Sequence, residues 1–283
     1  MQSLELNECI DVTQGTVAYG RFGKGPAVIL VHGTPSNAQV WRNVVPRLAD
    51  AFEVIVYDLC GYGLSTVHEG QDTRLRSQAR TLGQLIEHWG VERPHLVGHD
   101  FGGATVLGAH LKEGVAASSL TIFDAVVLNP WGTEFSMLVN DNIGVFQSIP
   151  NYVHEAMIEA HLKTATYHAL RPDVLNMLMA PWRGDAGKRA YLRQVADYDH
   201  EFTAQLETLY PTISVPTQIM WAEHDAWVAP DIGRKLHSLI PDSTFELMED
   251  AGHFAMEDIP GRIAARIGSF ASDSQFKSDN HVL

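Results

Sequence analysis

A short run of the chain, residues 98–103 (GHDFGG), contains the side chain that is best placed to do chemistry. It follows a strand-like run at 95–98 and leads into a helix-like run at 101–113, so Asp100 stands in a sharp turn between them. Such a turn exposes one reactive side chain above a sheet, beside a helix N-terminus, and its glycines let neighbouring backbone approach closely. The alternative is a tight turn in which Asp100 only caps the helix. Because motif and context agree, we predict that Asp100 is a nucleophile.

An aspartate nucleophile restricts the reaction. Its carboxylate is already ionised at neutral pH, because its usual pKa is near ~4, so no base has to activate it. Attack on an ester or amide carbonyl would give an unfavourable anhydride. Attack on a saturated carbon that carries a leaving group gives an ordinary ester, which water can then cleave. Asp100 therefore favours an epoxide or an alkyl halide as substrate over an ester or a peptide.

Four further motifs lie at the ends of strand-like runs. They are residues 32–35 (HGTP), 58–65 (DLCGYGLS), 221–225 (WAEHD) and 251–254 (AGHF). Together with residues 98–103, and in the same order, they resemble the oxyanion-hole loop, the glycine-rich turn, the nucleophile, the acid and the histidine of α/β-hydrolases. The resemblance extends from about residue 15 to 271. It points to the aspartate-nucleophile branch of that family, which contains epoxide hydrolases and haloalkane dehalogenases.

The resemblance implies a base and an acid. His253, singled out among 14 histidines by its G-H-F context, is expected to activate water against the Asp100 ester, whereas His110, His161 and His168 are expected to be structural. The acid that orients the imidazole is expected at Asp225. The alternative acid is Asp124, because some haloalkane dehalogenases place their acid after the corresponding strand.

The resemblance also implies the surroundings of the nucleophile. The backbone N–H groups of Thr34 and Phe101 are expected to form the oxyanion hole. We assign His32, Trp131 and Trp182 to substrate binding, since the two indole N–H groups could also hold a halide.

An epoxide and a halide need different assistance. An epoxide needs a proton donor for its departing alkoxide, which tyrosines usually supply in epoxide hydrolases. The segment from 130 to 211 contains five of them: Tyr152, Tyr167, Tyr191, Tyr198 and Tyr210. Haloalkane dehalogenases keep Asn and Trp where this chain has Thr34 and Phe101, and haloacetate dehalogenases typically keep Arg at the second position. We therefore favour a small apolar epoxide in a mostly apolar pocket.

Several alternatives stay open. An alkyl halide is the alternative substrate of the same covalent mechanism. Hydrolysis of a lactone, an ester or a C–C bond on the same scaffold, and a non-catalytic ligand-binding relative, are further alternatives, because a fold alone does not decide a function.

The elements that must carry these residues alternate between strands and helices. Strand-like runs occupy residues 27–31, 53–57, 95–98, 119–123, 217–221 and 244–248, with helix-like runs at 38–49, 74–90, 101–113, 231–239 and 260–271. This alternation indicates βαβ units and a mostly parallel sheet flanked by helices, which is an α/β fold. From about 129 to 211 the pattern is helical only. We predict a core at 1–129 and 212–271, an inserted helical cap at 130–211 and a flexible tail at 272–283.

Composition limits the partners. The 34 acidic and 20 basic residues among 283 give a net charge of −14, which argues against nucleic acid and against an anionic membrane surface as partners. The two cysteines, Cys9 and Cys60, are expected to be free thiols. The chain shows neither a basic, apolar leader nor an 18-residue apolar run, so we expect a cytoplasmic protein. Metal-binding and phosphate-loop motifs are also missing, so we expect only a small substrate and water as partners, with no cofactor.

Overall fold

A computed structural model describes residues 3–280 of the chain, and their side chains as far as Ser274. Within these residues the strands are β1 (Glu8–Asp11), β2 (Thr16–Phe22), β3 (Ala27–Val31), β4 (Glu53–Tyr57), β5 (His95–His99), β6 (Ser119–Phe123), β7 (Thr217–Ala222) and β8 (Thr244–Met248). These eight strands form one sheet in the order β1-β2-β4-β3-β5-β6-β7-β8. The pairs β1–β2 and β2–β4 are antiparallel, and the remaining pairs are parallel. The predicted α/β class with a mostly parallel sheet is confirmed.

The helices lie between these strands. In the described chain they are α1 (Val45–Leu48), α2 (Leu75–Trp89), α3 (Phe101–Lys112), α4 (Glu134–Asp141), α5 (Ile143–Ser148), α6 (Asn151–Leu162), α7 (Pro172–Met179), α8 (Gly184–Ala196), α9 (His200–Glu207), α10 (Pro230–Leu239), α11 (Ala255–Asp258) and α12 (Pro260–Asn280). Three 3₁₀ turns add Ala38–Trp41, Ala180–Trp182 and Tyr210–Thr212.

The central strands carry the motifs to one edge of the sheet. Every residue of β5 and β6 is buried, as expected of parallel strands that are covered on both faces. Val31 of β3 lies opposite Gly98 of β5, and Gly98 lies opposite Ile122 of β6. Because the strands are parallel and in this register, the residues that follow β3, β5, β6 and β7 emerge side by side.

The segment between β6 and β7 contains six helices, α4–α9, and no strand among its described residues. We call it the helical insertion. It rests on the core through hydrogen bonds to the two loops that carry the HGTP and DLCGYGLS motifs: Trp182 Nε1 donates to the carbonyl of Pro35 (3.2 Å), and Gln194 Nε2 donates to that of Gly61 (2.8 Å).

Both ends of the described chain differ from the sequence-based expectation. The antiparallel strands β1 and β2 were not among the predicted runs. The last helix continues to Asn280, through most of the segment that we expected to be a flexible tail, and residues 281–283 lie outside the described part. The segment after Ala271 is polar but contains neither Gly nor Pro, so nothing in it ends a helix.

Two observations concern the whole described chain. None of its described helices is both long and apolar enough to cross a bilayer. Cys9 is exposed, Cys60 is buried, and both are free thiols.

Candidate active site

The turn between β5 and α3 holds Asp100 in an unusual backbone conformation. Its φ is +52° and its ψ is −119°, a combination that residues with a side chain rarely adopt. A Cβ on Gly102 would lie 2.1 Å from the carbonyl oxygen of Val31, so only glycine lets α3 begin this close to β3. The carboxylate makes no capping hydrogen bond to α3, which contradicts the alternative that Asp100 is only a helix cap.

The two carboxylate oxygens of Asp100 have different neighbours. Oδ1 accepts a hydrogen bond from the backbone N–H of Thr34, with a separation of 2.7 Å. Oδ2 lies 3.5 Å from Nε2 of His253, which is longer than an ordinary hydrogen bond. Asp100 is 4% exposed, so it lies at the bottom of the site. One oxygen is therefore held by the backbone while the other faces the imidazole.

His253 pairs with Asp225 on its other side. Its Nδ1 lies 2.9 Å from Oδ2 of Asp225, and both side chains are fully buried. Oδ1 of Asp225 accepts hydrogen bonds from the backbone N–H groups of Trp227 (2.8 Å) and Val228 (2.9 Å), which fix the orientation of the carboxylate. The Nδ1 of His253 therefore carries a proton that it donates to Asp225.

The alternative acid, Asp124, is close to this site but makes a different contact. Its Oδ1 accepts a hydrogen bond from the backbone N–H of Ala222 (2.7 Å), and its Oδ2 has no hydrogen-bond partner among the described residues. Burial, and then repulsion from the Asp225 charge, raise the pKa of Asp124 well above its usual value. The structure thus pairs His253 with Asp225, whereas burial favours the neutral form of Asp124.

The two carboxylates decide the charge of His253. Burial by itself lowers the pKa of this imidazole, but the charge of Asp225, its hydrogen bond to Nδ1 and the nearby carboxylate of Asp100 outweigh it and raise the pKa to about 10. At neutral pH the resting site therefore holds an imidazolium between two carboxylates.

The backbone around His253 is held from several directions. The Nε2 of His99 lies 2.8 Å from the carbonyl oxygen of His253 and donates to it. Asp258 accepts a hydrogen bond from the N–H of Gly252 (2.9 Å), and the carbonyl of Ala165 accepts one from Phe254 (2.7 Å). We did not predict these contacts. The sequence offered one indication of the His99 contact, because His99 stands directly before Asp100.

A narrow cavity of about 30 Å³ lies over Asp100, between the sheet edge and the helical insertion. Of the predicted residues, Thr34, Phe101 and Trp131 line it. Tyr191 and Tyr198 also line it, whereas the other three tyrosines of the insertion do not. The cavity thus brings two phenol groups to the same space as the carboxylate.

Two predicted substrate-binding residues, His32 and Trp182, do not line the cavity. His32 is buried between two loops, where its Nδ1 donates to the carbonyl of Gly33 (2.8 Å) and its Nε2 accepts from the N–H of Leu59 (2.9 Å). The indole N–H of Trp182 is used by the carbonyl of Pro35. Both side chains hold loops together and, unlike the expectation from the sequence, neither contributes to the wall of the cavity.

His161 lines the cavity although the sequence did not predict it as a site residue. The sequence left it among the structural histidines, but it lies on α6 and lines the cavity. Which face of a helix meets a site depends on how the insertion packs, which helical periodicity alone does not determine. In the described part of the chain, no group of three or more His, Cys, Asp or Glu side chains is arranged to hold a metal ion.

Comparisons with known proteins agree with this geometry. Residues 26–260 match the family model described as the alpha/beta hydrolase fold. The crystal structure of an alpha/beta hydrolase fold protein from Burkholderia ambifaria is 36% identical, covers 94% of this chain and 98% of that chain, and has a TM-score of 0.90. Haloalkane dehalogenase 2 of Mycobacterium tuberculosis is 28% identical over 272 residues, which are 91% of this chain and 92% of the relative. A fluoroacetate dehalogenase of a Burkholderia species is 36% identical over 121 residues, 41% of this chain and 40% of the relative.

The close approach of α3 to β3 predicts a stability difference between two glycine substitutions. Gly102→Ala should lower the free energy of unfolding by about 2 kcal/mol or more, because its Cβ overlaps backbone. Gly144→Ala is the control, since its Cβ meets nothing within 4 Å, and should leave stability unchanged or raise it by about 0.5–1 kcal/mol. Urea unfolding measures both. Equal stability of the two variants would contradict the close approach.

The charges around His253 predict the titration of its imidazole. Nuclear magnetic resonance of ¹⁵N-labelled histidine should give a midpoint near pH 10 in the wild type. Asp225→Asn and Asp100→Asn should each lower it, because each removes an anion that favours the imidazolium. Asp124→Asn should lower it less than Asp225→Asn does, because burial disfavours the charged form of Asp124 and its carboxyl group does not hydrogen-bond to His253. A larger fall for Asp124→Asn than for Asp225→Asn would reverse our assignment of the acid.

Proposed function

The chain belongs to the alpha/beta hydrolase fold family and is an enzyme, and from this premise we propose that it hydrolyses a small epoxide through a covalent ester of Asp100. One observation carries the proposal: the strained turn presents a carboxylate, with one oxygen held by Thr34 and the other open to the cavity that Tyr191 and Tyr198 line. A carboxylate nucleophile and two phenol donors in one cavity fit ring opening at a saturated carbon.

The first step joins Asp100 to the substrate. Oδ2 attacks a ring carbon, the C–O bond of the ring breaks, and its electron pair goes to the departing oxygen. Tyr191 or Tyr198 donates a proton to that oxygen. Burial raises the pKa of both phenols above the usual tyrosine value, so both are protonated donors at neutral pH. The tyrosinate then recovers a proton from the imidazolium of His253, which leaves a neutral imidazole.

The second step depends on the charge that the first step removes. Once Asp100 is an ester, only Asp225 still favours the imidazolium, so the pKa of His253 falls and the imidazole can act as a base. It takes a proton from water, which attacks the ester carbonyl of Asp100. The developing oxyanion is Oδ1, which the N–H of Thr34 already contacts, and the N–H of Phe101 at the start of α3 is the second donor. Collapse releases the diol and restores the carboxylate.

An alkyl halide is the second candidate, because one relative bears the name haloalkane dehalogenase and the covalent step is the same. The halide would need N–H donors, but the nearby indoles donate elsewhere: Trp131 to Thr203 Oγ1, and Trp227 to Thr164 Oγ1. This favours the epoxide.

A substrate that carries a carboxylate fits the site less well. Among the described residues, no Lys or Arg lines the cavity, and Asp100 repels an anion. We therefore propose a neutral substrate.

Isotope labelling tests the covalent ester. One turnover in ¹⁸O water should place label in the peptide that contains Asp100, because water attacks the carbonyl of that residue. His253→Gln should still form the ester but hydrolyse it slowly, so the adduct should accumulate in the mass spectrum. Turnover without label would overturn the ester. Loss of adduct formation in His253→Gln would move the histidine to the first step.

Tyrosine variants separate the two leaving groups. Tyr191→Phe combined with Tyr198→Phe should slow diol formation from an epoxide roughly 100-fold, since general acid catalysis contributes factors of about 100 or more. Halide release from an alkyl chloride needs no proton and should not slow by that mechanism. Tyr152→Phe is the matched control, because Tyr152 is 75% exposed and lies outside the cavity. Unchanged diol formation in the double variant would remove both tyrosines from the mechanism, and halide release without diol formation in the wild type would favour the second candidate.

A further inference from the structure

His161 is a polar residue in the cavity wall that the proposed reaction does not use. Its imidazole stacks on the indole of Trp227, with ring centroids 4.2 Å apart and planes within 1° of parallel. Phe135 packs against it, with ring centroids 5.0 Å apart. The imidazole is therefore fixed in the wall by two aromatic neighbours.

The nitrogen atoms of this imidazole have no hydrogen-bond partner in the part of the chain that the structure describes. Burial, and then the charge of His253, lower the pKa of His161 to about 4, so the ring is neutral at physiological pH and offers one N–H donor and one acceptor. A substrate that covers these nitrogens without hydrogen-bonding them leaves polar groups unpaired, whereas a substrate that hydrogen-bonds them avoids this cost.

His161 has no hydrogen bond to His253 through which it could act on the reacting atoms. The ring of Trp227 lies next to both imidazoles, at 4.2 Å from the centroid of His161 and 4.7 Å from that of His253. Asp225 already occupies Nδ1 of His253. The free nitrogens of His161 are thus available to the part of the substrate that does not react.

We propose that His161 is a specificity-determining residue, which hydrogen-bonds a neutral hydroxyl group carried by the substrate beside its reacting carbon. A hydroxyl complements both a donor and an acceptor, whereas an alkyl group leaves the nitrogens unpaired. The cavity is narrow, which keeps this group close to the epoxide ring. The inference rests on the proposed function and narrows it to small epoxy alcohols.

Two epoxides of nearly equal size test this inference. Glycidol carries a hydroxyl where 1,2-epoxybutane carries a methyl group, so the pair isolates the hydrogen bond. The wild type should show the higher kcat/KM with glycidol. His161→Phe keeps an aromatic ring against Trp227 but has no nitrogen. It should lose roughly tenfold in kcat/KM with glycidol, mainly through KM, and little with 1,2-epoxybutane.

Two further variants make the comparison specific. His161→Asn keeps a donor and an acceptor without the ring, and should restore part of the preference for glycidol. His168→Phe makes the same substitution at an exposed histidine outside the cavity, and should leave both substrates unchanged. Unchanged hydrolysis of 1,2-epoxybutane shows that His161→Phe is folded.

The possible failures are distinguishable. If the wild type opens neither epoxide, the proposed function fails and this inference fails with it. If it opens both without preferring glycidol, or if His161→Phe keeps the preference, only the inference fails. An equal fall in kcat for both substrates, with the Asp100 ester accumulating, would assign His161 to the hydrolytic step and overturn its role in recognition.

Discussion

The site depends on one buried arrangement of charge, an imidazolium between two carboxylates. Isolated charges of this kind would be costly in a protein interior, so each needs a close partner and further hydrogen bonds. His253 supplies the positive charge, Asp225 lies 2.9 Å from it, and Asp100 lies 3.5 Å away on the other side. Three backbone N–H groups from two loops complete the hydrogen bonding of the carboxylates. The parallel register that brings the ends of β5 and β7 to one edge of the sheet is what makes this arrangement possible.

The loop that carries His253 is also the place where the core and the helical insertion are joined. Asp258 accepts the N–H of Gly252 and, from the insertion, the N–H groups of Tyr167 (2.8 Å) and His168 (2.9 Å). The N–H of Phe254 donates to the carbonyl of Ala165. The insertion therefore does more than cover the cavity, because the position of His253 depends on how the insertion packs.

Local sequence predicted the parts of the site that local backbone geometry determines. The turn between β5 and α3 needs glycines around Asp100, so residues 98–103 predicted the strand–helix junction with Asp100 in its turn. The choice between Asp225 and Asp124 needed coordinates, because both follow strands that end at the same edge. For the same physical reason, the sequence did not predict that His32 and Trp182 lie outside the lining of the cavity. Their polar atoms bond to backbone distant in sequence, and no local pattern records such contacts.

In the proposed mechanism, this charge arrangement lets His253 first pair with the carboxylate of Asp100 and then activate water. Before reaction, the two carboxylates keep His253 protonated. A protonated imidazole can pair with the carboxylate of Asp100, but it cannot accept a proton as a base. Ester formation converts Asp100 into a neutral group, and thereby removes one of the two causes that keep the imidazole protonated. In this mechanism no conformational change is required to switch the site from its first step to its second. A neutral substrate fits this arrangement, since a second anion in the cavity would repel Asp100 and keep His253 protonated after the ester has formed. The net charge of −14 argues against nucleic acid as a partner, whereas in the proposed mechanism the charge of Asp100 disfavours an anionic substrate in the cavity.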